Sequence, residues 1–290
     1  MPQTTIRGCT INYEVLGLGG PWVALTPGGR NGMQGMRGLG ARLAEGGYRA
    51  LIYDRRNCGA SDVIIGGALS EQEEWAEDLY ELLRQVATVP AYVGGSSAGC
   101  RVSLLLAIRH PDAIKALLLT AVSGGQVAAE RLGYNYYEQF IEAAQRGGMQ
   151  AVMEMPFFAE RIEQNPSNRE RLLAMNPNEF RAIMARWRAF FTADKPIIGA
   201  TEAELRAIEA PAIIMPGNDE VHPLAVGENL HRIMKRSELV PQLLTEAEVA
   251  TLRDHGGAPA AQAERTARLA PFLLDFLTRQ EQAVTAAAPA

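Results

Sequence analysis

A short apolar run, Pro90-Ala91-Tyr92-Val93, gives way to the small residues Gly94-Gly95-Ser96-Ser97-Ala98-Gly99 and then to a helical pattern carrying Val102, Leu104, Leu105, Leu106 and Ile108. A strand that turns this quickly into a helix strains the backbone of its central residue and leaves no space for large neighbours. Gly95, Ala98 and Gly99 meet that demand, and Ser97 is the residue left at the centre. The amide of Ala98 opens the helix, where unpaired N–H groups favour a developing negative charge. Ser96 is off the glycine register, and Cys100 reads as a small buried hydrophobe within the helix. A glycine-rich turn without chemistry shares the bare pattern. The strand before it and the helix after it separate the two readings.

The same rhythm extends along the chain. Thr4 to Leu16 reads as a hairpin around Gly8, and Pro21 to Leu25 as an apolar strand running into Thr26-Pro27-Gly28-Gly29. Helix is expected from Met36 to Glu45, and a strand from Tyr48 to Tyr53. Ser70 and Glu73 form a capping box for a helix through Val86. Ile114 to Leu119 and Ala212 to Met215 are further strands, Leu224 to Met234 a helix, and Glu238 to Leu243 a last strand. Ala258 to Leu277 is the closing helix, and residues 283–290 read as a loose tail. Strands alternating with helices imply a parallel sheet covered on both faces. The alternation breaks once. Residues 126–199 are helical, aromatic and rich in methionine, and so read as a helical cap inserted into a core of residues 1–125 and 200–290. Because the insertion follows a strand, it is expected to act as a lid over a crevice at the strand ends.

A chain of 290 residues with 47% hydrophobic residues can bury a core of this size. A net charge of −5 without a dense Lys/Arg block argues against a nucleic-acid partner. No apolar run approaches the roughly 20 residues needed to span a bilayer, so no membrane partner is expected. The start of the chain has no basic segment followed by an apolar run, so no secretory leader is expected. Three widely spaced cysteines, Cys9, Cys58 and Cys100, fit neither a disulfide framework nor a zinc site, and a reducing cytoplasm is the simplest reading. No Walker motif follows Gly32, Gly35 or Gly38. No cofactor and no metal are expected, and the partner is a small-molecule substrate.

Several stretches carry a family resemblance. Gly95-Ser96-Ser97-Ala98-Gly99 fits Gly-x-Ser-x-Gly. Asp54-Arg55-Arg56-Asn57-Cys58-Gly59-Ala60-Ser61 is similar to Asp-x-Arg-Gly-x-Gly-x-Ser, with Asn57 at the first Gly position. Gly217-Asn218-Asp219-Glu220-Val221-His222-Pro223 resembles an acid loop, and His255 precedes a closing helix. Together they make the chain resemble the α/β-hydrolase superfamily, in the group with a helical cap. The resemblance implies a mostly parallel eight-stranded sheet with helices on both faces and a serine hydrolase mechanism. A serine at the elbow sets the chain apart from the haloalkane dehalogenases and soluble epoxide hydrolases, which place an aspartate there.

A serine hydroxyl needs a base to take its proton, and imidazole suits the role. Of the four histidines, His110 lies at the far end of the elbow helix, and His222 follows Asp219 too closely to reach the nucleophile independently. His231 lies within a helix. His255, in the Arg253-Asp254-His255-Gly256-Gly257 segment, is the expected base, with His231 next. Asp219 is the expected acid, with Glu220 and Asp254 as rivals, and the order Ser97, Asp219, His255 is the one this fold uses. The family's His-Gly after the third strand is here Pro27-Gly28, which makes Gly29 the oxyanion donor beside Ala98. A shift of one residue makes it Arg30 instead. Arg30, Tyr134, Tyr137, Phe158 and Trp187 are the substrate-binding candidates. The expected reaction is hydrolysis of a carboxylic ester or lactone. Cleavage of a diketone-type carbon–carbon bond or of an amide is the enzymatic rival, and a small-molecule sensor with little turnover is the rival of another class.

Overall fold

The computed structural model describes residues 2–287. The chain begins with a hairpin, β1 (Gln3–Ile6) and β2 (Cys9–Leu16), turning at Arg7 and Gly8 as expected. It continues through β3 (Trp22–Thr26), α1 (Gln34–Glu45), β4 (Arg49–Tyr53), α2 (Glu71–Val86), β5 (Ala91–Ser96), α3 (Ala98–Arg109) and β6 (Ile114–Thr120). Five helices follow: α4 (Gly125–Gly133), α5 (Gln139–Glu154), α6 (Pro156–Gln164), α7 (Ser167–Leu173) and α8 (Pro177–Arg188). The alternation then resumes with α9 (Glu202–Ala207), β7 (Ala212–Met215), α10 (Leu224–Ile233), β8 (Ser237–Leu239) and α11 (Glu246–Ala287).

The eight strands form one sheet in the order β1-β2-β4-β3-β5-β6-β7-β8. β1 and β2 pair antiparallel, as do β2 and β4, and every later pairing is parallel. Side chains of a strand alternate between faces. Thus Ala24, Val93, Leu117, Leu119 and Ile214 join α2, α3 and α10 on one face, while Val23, Leu25, Tyr92, Leu118 and Ile213 join α1 and α11 on the other. Both faces are buried, which is why these strands read as nearly continuous apolar runs. The Ser70–Glu73 capping box forms as expected.

The inserted helices have an apolar cluster of their own, built on Tyr137, Phe140, Phe158, Phe180 and Trp187 and closed by Val63 and Ile65 from the loop after β4. Polar contacts fasten them to that loop. Asn168 Oδ1 accepts from the Val63 amide at 2.8 Å, and Trp187 Nε1 donates to the Leu69 carbonyl at 3.1 Å.

The carboxyl-terminal stretch departs most from expectation. β8 is short, and α11 starts at Glu246 rather than near residue 258, with a break at Gly257. Thr245 and Glu248 are responsible. The Thr245 hydroxyl accepts from the Glu248 amide at 3.2 Å, and the Glu248 carboxylate accepts from the Thr245 amide at 2.8 Å. This reciprocal cap satisfies two otherwise orphaned donors and starts the helix early. Residues 283–287 continue α11 rather than forming a loose tail, and the rest of the expected tail lies outside the described residues. Among the described residues, no helix is long and apolar enough to cross a membrane.

Candidate active site

Ser97 stands between β5 and α3 with φ 54° and ψ −106°, the strained turn expected of it. The turn closes only because its flanks lack side chains. A Cβ on Gly95 or on Gly99 would lie 2.2 Å from the Thr26 carbonyl oxygen. The strain is held by pairing on both sides, since β5 lies between β3 and β6 and the Ser97 amide donates to the Thr120 carbonyl at 3.0 Å. Ala98 follows as the first helical residue, where an amide has no partner within the helix.

His222 meets Ser97. Its Nε2 lies 2.8 Å from Ser97 Oγ, and its Nδ1 lies 2.9 Å from each carboxylate oxygen of Asp219. Asp219 and His222 share one turn after β7. The Asp219 Oδ1 accepts from the amides of Val221 and His222, both at 2.9 Å, and the Asp219 carbonyl accepts from the His222 amide at 3.1 Å. That turn folds the imidazole back over the strand end. Gly217 makes the space, since a Cβ there would lie 2.3 Å from His222 Cβ. Partial burial works against ionisation of Asp219, but the hydrogen bond and charge of His222, together with the two amides, hold its carboxyl below the usual range.

His255 is elsewhere. It is exposed on α11, and its Nδ1 donates to the Thr251 carbonyl at 2.7 Å. The expectation of a loop there fails because the Thr245–Glu248 cap carries helix through the position. The argument against His222 fails for a related reason. Closeness to Asp219 does not keep its ring from Ser97; one turn supplies both groups. His231 is bonded to Ser237 instead, and Glu220 pairs with Arg131 at the surface.

The loop after β3 brings Gly28 against the elbow, where a Cβ would lie 3.5 Å from Ser97 Cβ. Gly29, next in the chain, has φ 55° and presents its carbonyl to Arg55 Nη2 at 2.8 Å. The Arg30 side chain is buried and ion-paired with Glu71 rather than open to solvent. Of the aromatic candidates, Tyr134 is exposed, its hydroxyl 3.4 Å from Glu142. Tyr137, Phe158 and Trp187 are fully buried, with Tyr137 donating to Glu71 at 3.0 Å. Packing inside the insertion claims Phe158 and Trp187, because their rings stack edge-on with Phe140, Phe180 and Tyr137.

Two cavities adjoin the elbow, of about 220 and 90 Å³. Ser96, Thr120 and Arg265 line both. The larger adds Gly28 and Asn31, the smaller Asp219 and His222. None of the expected aromatic candidates lines either one. Sequence reasoning does not single out His222, nor the fully buried Arg55, bonded to the Gly29 carbonyl, and Arg101, one helical turn after Ser97. Among the described residues, no group of three or more His, Cys, Asp or Glu side chains is placed to hold a metal ion.

Comparison with known proteins agrees with this architecture. Residues 21–180 match the model of the alpha/beta hydrolase fold family. The chain is 28% identical over 181 residues to the uncharacterized hydrolase YraK of Bacillus subtilis (strain 168), a match covering 60% of this chain and 64% of that one. It thus spans a little under two thirds of the relative's length. Among solved structures, it resembles the enol-lactonase from Burkholderia xenovorans LB400 with a TM-score of 0.62 and 19% identity, over 96% of this chain and all of that one (100%). It also resembles a thermophilic esterase from Thermogutta terrifontis with a TM-score of 0.65 and 20% identity, over 97% and 99% of the two chains. With the sheet order, the elbow and the family match in agreement, the chain belongs to the α/β-hydrolase fold family.

Proposed function

We propose that this protein is a serine hydrolase that cleaves a carboxylic ester or lactone of a small to medium organic molecule. The observation that carries the reading is the hydrogen-bonded series from Ser97 Oγ to His222 Nε2 at 2.8 Å and from His222 Nδ1 to Asp219 at 2.9 Å. In the neutral imidazole, Nδ1–H donates to the carboxylate, which leaves Nε2 to accept the serine proton. Ser97 Oγ bonds to the substrate carbonyl carbon as its proton passes to His222. Collapse breaks the carbon–oxygen bond, and the leaving oxygen takes that proton. Water then attacks the acyl-enzyme, gives a proton to His222, and releases the acid as Ser97 recovers its own.

The amides of Ala98 and Gly29 are the proposed donors to the oxyanion. Ala98 opens α3, and Gly29 follows the residue packed on Ser97. Residues 126–199 act as the lid. Their position after β6 and the bond from Arg161 Nη2 to the Arg30 carbonyl at 2.7 Å support that role.

The test is covalent labelling by a fluorophosphonate, with turnover measured across para-nitrophenyl esters, lactones, an amide and a vinylogous diketone. Wild type should be labelled and should turn over an ester or lactone fastest. Ser97→Ala should lose labelling and at least about 10³-fold in turnover. Equal labelling of Ser97→Ala overturns the nucleophile. Labelling without turnover favours a sensor.

A further inference from the structure

Four arginines from four separate segments converge beside the elbow. Arg30 follows the Gly28–Gly29 loop, Arg55 follows β4, Arg101 lies in the first turn of α3, and Arg161 comes from α6 of the insertion. Their exposures are 6%, 0%, 0% and 3%. They share one neighbourhood: Arg161 donates to the Arg30 carbonyl at 2.7 Å, Arg55 to the adjacent Gly29 carbonyl at 2.8 Å, and Arg101 to Gln72, whose side-chain amide lies 3.4 Å from the hydroxyl of Tyr137 beside Arg30.

Their counter-charge is short. Glu71, itself fully buried, pairs with Arg30 and also accepts from Asn57 at 2.8 Å and Tyr137 at 3.0 Å. Among the described residues, the carboxylate paired with Arg161 is the exposed Glu160, at 2.7 Å. Among the described residues, the hydrogen-bond partners of Arg55 and Arg101 are neutral groups. Arg55 Nη2 donates to the Gly29 and Asn31 carbonyls, while Arg101 donates to Gln72 and Ser123. Nε and Nη1 of both Arg30 and Arg55 are buried with no hydrogen-bond partner. Aromatic faces surround the guanidiniums, with Phe157 4.9 Å from Arg30 and Trp75 4.3 Å from Arg55. Such faces attract cations but leave these N–H groups unsatisfied. Buried cations short of both charge and acceptors are costly, and an anion with several oxygens would satisfy them.

We infer that this cluster is an anion-recognition site and that the substrate carries a carboxylate beside its scissile ester or lactone. The inference rests on the hydrolase reading for the word substrate, but not for the site itself. Arg101 stands one helical turn from Ser97, its amide donating to the Ser97 carbonyl at 3.3 Å. The Tyr136 hydroxyl lies near Gly29, 3.8 Å from where a Cβ on that glycine would stand. Tyr136 in turn flanks both Arg30 and Arg101. The recognised charge and the attacked carbonyl therefore belong to one small molecule.

The test has a binding arm and a turnover arm. In the binding arm, Ser97→Ala is titrated with glutarate by calorimetry and thermal melting. Glutarate should bind and raise the Tm, and the same protein with Arg101→Met should lose the response by about tenfold or more in affinity. Arg101→Lys should retain part of it. Arg101→Met should not lower the ligand-free Tm, because it removes a buried charge that has no carboxylate partner. In the turnover arm, para-nitrophenyl pentanoate is compared with mono-para-nitrophenyl glutarate, and para-nitrophenyl butyrate with para-butyryloxybenzoate. A preference of about tenfold in kcat/KM for a charged member of either pair, lost in Arg101→Met through KM, supports the inference. Ester turnover without glutarate binding and without charge preference overturns the anion site alone. Glutarate binding that depends on Arg101, in a protein that neither reacts with a fluorophosphonate nor turns over any ester, overturns the hydrolase reading and keeps the site. A glutarate response unchanged in both Arg101 variants overturns the site.

Discussion

Asp219 to His222 and Asp254-His255 each put a histidine within three residues after an aspartate. In the first, the aspartate caps a tight turn at the end of β7. The turn fixes the imidazole with one nitrogen on the carboxylate and the other on Ser97. In the second, the histidine lies on an exposed helix and returns its own Nδ1 to the backbone one turn earlier. The side chains are the same. What differs is the backbone that carries them, a turn at the rim of a sheet against the outer face of a helix. Nearness to the strand ends, rather than order along the chain, decides which histidine faces Ser97.

The sharpest way to break this comparison is to remove each imidazole. His222→Ala should lower kcat by about 10³-fold or more, while His255→Ala should stay within about twofold of wild type. The reverse outcome in steady-state kinetics would return the base to His255. A smaller effect should follow from crowding the turn. Gly217→Ala places a methyl against His222, and a displaced imidazole should cost about 10²-fold in kcat with little change in KM. Unchanged kcat would mean that the turn can shift without moving the ring. The smallest effect concerns the helix that withdraws His255. Thr245→Ala removes the cap and should lower stability by about 1 kcal/mol in thermal or urea unfolding, with turnover unchanged. A rise in turnover on uncapping would mean that α11 holds back a catalytic residue.

Legibility in the sequence followed the range of the interaction. The elbow was readable because its demands are local, with small residues beside a strained serine between a strand and a helix. The sheet is readable because strands buried on both faces are nearly continuous apolar runs, as in Val23 to Leu25 and Leu117 to Leu119. Asp219 was found through its glycine-bearing loop. His222 is not legible as the partner of Ser97 because closeness to Asp219 along the chain suggests that one turn cannot aim both groups at the elbow. Signals were present: Gly217 opposite the histidine, and Thr245-Glu246-Ala247-Glu248, a capping pattern that extends helix through His255. An apolar ring in a helix has the same pattern whether it packs a core or lines a cavity, and Phe158 and Trp187 are fully buried among the rings of the insertion.

By itself, the sequence determined the alternation of strands and helices, the single helical interruption and the identity of Ser97 at the elbow. Each of these depends on neighbours within a few residues, where sterics and periodicity act. Only the tertiary structure decided which histidine faces Ser97 and which charges share a buried volume. Arg30, Arg55, Arg101 and Arg161 lie far apart in the chain, and nothing local links them. Their meeting is a property of the sheet and the inserted helices packed beside it, as is the shortage, among the described residues, of carboxylates around them.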